Sequence, residues 1–282
     1  MPGTFRKIGI VGVGLIGGSV AKAVRRAHAD ARLIGCDDDA VIRAAVDVGI
    51  VDQAGTAEDI AACDLIVLAS PVSANLAWLD RLASMDTRAL ITDVGGTKRQ
   101  MNVMATELGA RVSFVGGHPM AGSDRSGFGA SDADLFQERR WFIVPTPLST
   151  AAHLSQLHDF IVTLGAKPAV VDADAHDRVM AAVSALPQVT ASALMAVVGE
   201  RVDIDGLRMA GPGLRDTTRL AASAATWMTD GLAHNSREVA DAIDALIGEL
   251  RAIRDQLDTP ERSASLFARA QEWRRALIDQ SR

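Results

Sequence analysis

Glycines 12, 14 and 17 in KIGIVGVGLIGGSVAKAV follow a β-branched apolar run and open a helical pattern, in the order G-x-G-x-x-G. Glycines so placed turn the chain tightly. They let the backbone N–H groups around Gly14, Leu15 and Ile16 approach a pyrophosphate at the positive end of the helix. The next apolar run ends in GCDDD, which sets Asp37 twenty residues after Gly17, where a carboxylate accepts hydrogen bonds from an adenosine ribose. The same carboxylate repels a 2′-phosphate, so the cofactor expected is NAD rather than NADP. Ser70, closing the run DLIVLAS, is grouped with these residues as a cofactor contact. The competing reading of Asp37 to Asp39 is a solvated acidic turn after an ordinary strand–helix corner. The strand before the glycines and the helix after them favour the dinucleotide.

A second candidate is His118 in VGGHPMAG, one of six histidines in the chain. Paired glycines before it permit close backbone approach, and Pro119 stiffens the chain on its other side. A lone histidine is more often structural than catalytic. This one is expected in the loop after the strand VSFV, at the carboxyl edge where open α/β sheets bind ligands. A neutral imidazole, with an ordinary pKa of about 6.5, is matched to taking a proton at cellular pH. Arg215 comes just after the glycine-rich break in MAGPGLRD. It either grips an anionic ligand with a fork of hydrogen bonds or forms a surface salt bridge, for instance with Asp216.

Such residues need a scaffold, and the patterning supplies one. Through residue 172, the short runs KIGIV, RLIGC, DLIVLAS, ALITDV, SFVGG, WFIVPT and KPAVV alternate with longer helical patterns, which predicts a mostly parallel sheet covered by helices on both faces. After Asp172 the strand signals stop, and an alanine-rich helical pattern from Ala173 to Val198, interrupted by Pro187, leads to the glycine-rich break and two further helices. The fold expected is an α/β Rossmann-type dinucleotide-binding domain over residues 1–172, followed by an all-α domain over 173–282 that binds substrate and dimerises. Val239, Ile243, Leu246, Leu250, Ile253 and Leu257 form an apolar seam that needs a partner helix, either in a second subunit of a homodimer or within the chain.

Composition narrows the function classes. A hydrophobic share of 48% over 282 residues fills a substantial core, and a net charge of −6 leaves no basic field for nucleic acid. The two cysteines, Cys36 and Cys63, sit beside apolar runs and read as reduced thiols of a cytoplasmic protein. The N-terminus lacks a signal-peptide pattern and no apolar run reaches transmembrane length, so no membrane is expected. No metal site is expected.

With these residues in view, VGGHPMAGSDRSGF, the preceding TDVGGTK and the later GPGLRDTTR resemble the prephenate/arogenate dehydrogenase family, over nearly the whole chain. The resemblance implies NAD-dependent oxidative decarboxylation of prephenate to 4-hydroxyphenylpyruvate in tyrosine biosynthesis, or alternatively of arogenate to tyrosine. It implies that His118 takes the ring-hydroxyl proton as hydride leaves C4 and the ring carboxylate departs as CO2. It assigns Arg215 to a substrate carboxylate. Family members commonly carry a serine where this chain has Gly96, so the hydroxyl that orients histidine and nicotinamide is left to Thr97 or to water. The family's SHLPH is SALPQ here, with Ala185 and Gln188 at the histidine positions. Gln188, whose amide donates or accepts, is expected to face the substrate side chain and to remove a preference between keto acid and amino acid. Ser123 and Asp124 match a small polar and acidic pair near the pocket entrance, or cap the next turn. The chain ends without room for a regulatory ACT domain, so feedback by tyrosine is expected at the active site. Two rivals remain: a β-hydroxyacid dehydrogenase, whose interdomain helix typically carries a catalytic lysine that Ala173 to Val198 lacks, and an NAD-binding sensor without turnover.

Overall fold

The structure, a computed structural model, describes residues 5–122, 125–223 and 225–279. From the N-terminus, β1 (Lys7–Val11), α1 (Leu15–Ala27), β2 (Arg32–Cys36), α2 (Asp39–Asp47), β3 (Gln53–Ala54) and α3 (Ala57–Ala61) form the first half of a wound sheet. Then β4 (Leu65–Leu68), α4 (Val72–Ala83), β5 (Leu90–Asp93), α5 (Arg99–Leu108) and β6 (Ser113–Phe114) form the second. All pairs are parallel and the strand order is β3-β2-β1-β4-β5-β6. The order reverses between β1 and β4, and the crevice at their carboxyl ends is where such sheets take ligands.

Alternation explains the burial. In β4, Leu65 and Val67 join one apolar cluster with Ile8, Ile10, Val20, Val24 and Leu33, while Ile66 and Leu68 join another with Val11, Ile34, Leu79 and Leu82. Strands apolar on both faces must be covered by helices on both faces, which the run LIVL requires. Fully burying each such side chain is worth about 1.5–3 kcal/mol.

The later strands depart from expectation. β7 (Gly116–Pro119), β8 (Arg140–Val144) and, after α6 (Ala151–Thr163), β9 (Lys167–Val170) form a separate three-stranded sheet, in which β7 runs antiparallel to β8. The runs WFIVPT and KPAVV are therefore strands, but not of the parallel sheet; a period of two marks a strand and carries no information about its neighbour. His118 accordingly lies in a strand rather than a loop, directly opposite Phe142.

Asp172 caps α7 (Ala173–Met180), accepting from the N–H groups of Asp174 and Ala175 at 2.9 and 3.0 Å. Pro187 does not interrupt the helical run. A π-helical turn (Ala181–Ala185) lies directly before it, and α8 (Leu186–Leu207) starts with the proline in its first turn, where a missing N–H costs nothing. Joined this way, residues 173–207 are long and apolar enough to cross a membrane by length and composition, contrary to the expectation that no run reaches that length. The core helix of a soluble protein passes the same test. Within α8, Asp203 adopts φ 55°, a left-handed conformation, and its carboxylate receives the N–H groups of Asp205 and Gly206 at 3.0 and 3.1 Å.

α9 (Pro212–Thr218) and α10 (Ala225–Ala233) come next. Contacts group the chain through Ser236 as one compact unit and Arg237 onward as a second. The second unit consists of α11 (Ser236–Arg254) and α12 (Pro260–Asp279), linked by Arg269 to Glu249 at 3.0 Å. The predicted seam runs along α11 from buried Val239, but Leu250 is exposed and Leu257 falls beyond the helix.

Candidate active site

The cofactor cradle is built from backbone. Gly12 has φ +87°, and a Cβ there would stand 2.7 Å from the Ala69 carbonyl and from Ser70 Oγ. At Gly17 a Cβ would come within 1.9 Å of the Gly12 carbonyl oxygen. Both positions therefore require glycine, and they bring Ser70, beyond β4, against the turn after β1. No described atom lies within 4 Å of the Cβ position of Gly14, which leaves the start of α1 approachable. That helix has no side-chain cap and no acidic residue in its first turn, so the N–H groups of Leu15 and Ile16 and the positive end of the helix dipole stay available to an anion. Asp37 ends beside this turn, its carboxylate accepting from the N–H of Val13 and, at 2.7 Å, from that of Asp38. A cradle that only glycine fills, an uncapped helix start and an acidic residue at the end of β2 together fit a dinucleotide.

The histidine site is built from side chains. Asp93, at the end of β5, is fully buried with Lys98, and the two form an ion pair. The Asp93 carboxylate also accepts from the N–H groups of Gly95 and Gly117 at 2.9 and 3.2 Å, and Lys98 Nζ donates to the Gly117 carbonyl at 2.7 Å. Burial pulls the Lys98 ammonium below the ordinary lysine range, and Asp93 opposes that pull. Both backbone groups of Gly117 are thus gripped by one ion pair, which fixes the strand position of the next residue. Only glycine permits this approach: a Cβ on Gly117 would lie 2.6 Å from the Asp93 carbonyl.

His118 projects from the opposite side of β7 and is half-buried. Its Nδ1 lies 2.8 Å from Nε2 of His176, whose Nδ1 is 2.8 Å from the Asp177 carboxylate. Phe142 packs edge-on to His176, with ring centres 5.5 Å apart. Burial first, then the neighbouring His176 and Lys98, hold the His118 imidazole well below its ordinary pKa, so it is neutral near pH 7. Its other nitrogen, Nε2, is 3.9 Å from where a Cβ would stand on Gly96. Gly96 is the residue of DVGGTK that this nitrogen faces. Thr97 is buried, and its hydroxyl has no hydrogen-bond partner among the described residues.

The remaining candidates divide. Arg215 in α9 is exposed and forms no ion pair among the described residues, not even with Asp216, so its guanidinium is open to a ligand. Gln188 is engaged within the chain. Its amide nitrogen donates to the Leu220 carbonyl at 2.6 Å, and its oxygen accepts from Ser223 at 3.2 Å, so both ends are used in tying α8 to the segment after Arg215. Ser123 and Asp124 lie outside the described residues.

Residues 20–170 match the nucleotide-binding domain family of prephenate dehydrogenase, and residues 172–271 match its dimerization domain family. The chain belongs to the prephenate dehydrogenase family. It is 32% identical to the prephenate dehydrogenase of Bacillus subtilis over 92% of this chain and 71% of that one. Among solved structures, it superposes with TM-score 0.89 on Aquifex aeolicus prephenate dehydrogenase in complex with hydroxyphenyl propionate and NAD+, at 28% identity over 99% of this chain and 100% of that one. Synechocystis arogenate dehydrogenase gives TM-score 0.78 at 27% identity, over 96% and 99% of the two chains. The family's fold, a parallel nucleotide-binding sheet followed by helices, is the fold seen here.

Two residues of the site carry no recognisable motif in the sequence. His176 and Asp177 sit in ADAHDRV at the start of the alanine-rich helix, and both are buried. The one available signal is an adjacent histidine and aspartate in the first turns of an otherwise apolar helix.

Proposed function

We propose that this chain catalyses the NAD-dependent oxidative decarboxylation of prephenate to 4-hydroxyphenylpyruvate, with His118 as the base. The observation that carries the reading is a neutral, half-buried imidazole in the segment VGGHPMAG, with Nε2 turned toward Gly96. Gly12, Gly14, Leu15, Ile16, Gly17, Asp37 and Ser70 would hold NAD, which would supply the hydride acceptor. His118 accepts the ring-hydroxyl proton at Nε2 as hydride leaves C4, the carbonyl that develops there draws in the electrons released as the ring carboxylate leaves as CO2, and the oxygen recovers the proton as the phenol. The exposed guanidinium of Arg215 grips a substrate carboxylate.

Labour divides at residue 172: the nucleotide and the base are held before it, and the substrate carboxylate and the partner subunit are held after it. Homodimerisation belongs to the same reading, supported by the dimerization-domain match and by the exposed apolar residues Val183 and Val197 on the long helical run and Leu250 on α11. A cytoplasmic location is supported by two free thiols, of which burial pushes Cys63 up to about 11. Arogenate is the second substrate to weigh, favoured by the likeness to the Synechocystis enzyme and by a Gln188 amide already engaged elsewhere. The purified protein with NAD and prephenate should generate reduced-nicotinamide absorbance with equimolar CO2. A parallel assay with arogenate ranks the two substrates, and binding of NAD without turnover of either rejects the proposal in favour of a sensor.

A further inference from the structure

The Asp177 carboxylate is the end of a chain of hydrogen bonds that runs into His118. Its Oδ1 accepts from His176 Nδ1 at 2.8 Å and from the N–H of Lys98 at 2.7 Å, and its Oδ2 accepts from the N–H of Arg99 at 2.9 Å. Asn235 holds the same residue from the other side, donating to its backbone carbonyl at 2.8 Å. Burial favours the neutral acid, but donors from His176, Arg99 and Lys98 outweigh it and keep the carboxyl below its ordinary value.

An ionised carboxylate can only accept, so His176 carries a proton on Nδ1. In a neutral imidazole Nε2 is then an acceptor, and the atom 2.8 Å away, His118 Nδ1, must be the donor. A neutral His118 with its proton on Nδ1 has its lone pair on Nε2, the nitrogen turned toward Gly96. The opposite arrangement, His118 accepting at Nδ1 and protonated at Nε2, could not take a proton from substrate. We propose that His176 and Asp177 are positioning residues that hold His118 in its Nδ1-protonated tautomer and share the charge it acquires. When the substrate hydroxyl proton adds to Nε2, Nδ1 keeps its proton. The resulting imidazolium faces His176 and, through it, the Asp177 carboxylate. This inference rests on the proposed role of His118 as the base.

His176 is the residue to change, because Asp177 also receives the first N–H groups of α5 and its loss would unsettle that helix. In His176→Phe the acceptor is gone. In His176→Gln a side-chain oxygen stands near the former Nε2. Two-bond 15N–1H spectra of histidine-labelled wild-type protein should show His118 protonated on Nδ1 and bare on Nε2, and His176→Phe should show a mixture. The Phe variant should stay folded, with a melting temperature lowered by the loss of the Asp177 partner, keep its NAD affinity and hold KM within about threefold, while kcat falls on the order of 10²-fold or more, the scale on which a misset tautomer acts. His176→Gln should recover most of that loss. A wild-type His118 protonated on Nε2 overturns the proposal even if the variants fail to fold. So does a folded His176→Phe with wild-type kcat, or a Gln variant no better than the Phe variant. Failure of the wild type to oxidise prephenate or arogenate strikes the functional reading instead, and the tautomer measured in the same protein still decides the relay.

Discussion

The cofactor cradle and the histidine site are assembled on different principles. The cradle is a matter of backbone: Gly12 and Gly17 are dictated by atoms a side chain would hit, and every element of it except Ser70 lies between β1 and the end of β2. The histidine site is a matter of side chains brought from β5, β7 and α7, with His118 and His176 58 residues apart in sequence. A local motif tolerates change outside its few fixed positions. A long-range network of buried charges does not, because removing one member leaves another without a partner.

The largest effects should therefore come from the histidine site. His118→Asn is expected to lower kcat by roughly 10² to 10⁴ fold with NAD binding and fold retained. Near-normal turnover would remove the histidine from the chemistry. The pH profile sharpens the same point. The groups around the ring are His176 and Asp177 on α7, with Lys98 and Asp93 behind β7, and the net result is a pKa held well below the ordinary value of about 6.5. Only the neutral ring accepts a proton, so kcat/KM should stay level as pH falls through 6.5 and decline only at lower pH; an acid limb centred at or above 6.5 contradicts this. Lys98→Met breaks the buried pair and leaves Asp93 charged among Gly95 and Gly117 N–H groups alone. A loss of about 3–5 kcal/mol in denaturant unfolding is expected. A loss below about 1 kcal/mol would show that the site is less tightly coupled than its geometry.

The same contrast explains what could be read in advance. The turn from Gly12 to Gly17 and the placing of Asp37 beside it are legible because turn, helix start and the end of the next strand recur at fixed spacing. The parallel sheet is legible because LIVL and its companions are apolar on both faces. The second sheet is not, since nothing in WFIVPT says which strand it will pair with. Pro187 misleads because a π-helical turn before it absorbs the proline, a possibility that propensity does not encode. The partners of Gln188, Leu220 and Ser223, are not legible because they lie more than thirty residues away. Nor can the sequence single out His176, whose meaning depends on where its Nε2 points.

At the cradle, effects should be smaller. Asp37→Ser removes a carboxylate that also accepts from Val13 and Asp38, so NAD affinity should fall by about tenfold, the scale of one or two lost hydrogen bonds. Discrimination against NADP should relax in the same titration. A native protein that already binds NADP more tightly would show that Asp37 does not face the ribose.

The smallest expected effect tests the one position where the two principles meet. Gly96 has no positive φ, and a Cβ there would touch nothing closer than His118 Nε2 at 3.9 Å, so Gly96→Ser is accommodated without strain. The serine hydroxyl, about one bond length beyond that Cβ, comes within hydrogen-bonding reach of Nε2 in a suitable rotamer. There it can do one of two things. By bridging Nε2 and the substrate hydroxyl, it would lower KM for prephenate by severalfold, the worth of one hydrogen bond of about 1 kcal/mol. By donating to Nε2 in place of substrate, it would lower kcat instead, by a similar factor. The first outcome is expected, because the proton that Nε2 takes comes from the substrate hydroxyl, which a bridging serine would bring into line, with a melting temperature unchanged. Thr97→Val is the control: its hydroxyl is buried without a partner among the described residues, and the substitution should leave KM and kcat alone. If Thr97→Val raises KM while Gly96→Ser changes nothing, the orienting hydroxyl is that of Thr97, and Gly96 has no part in aiming the base.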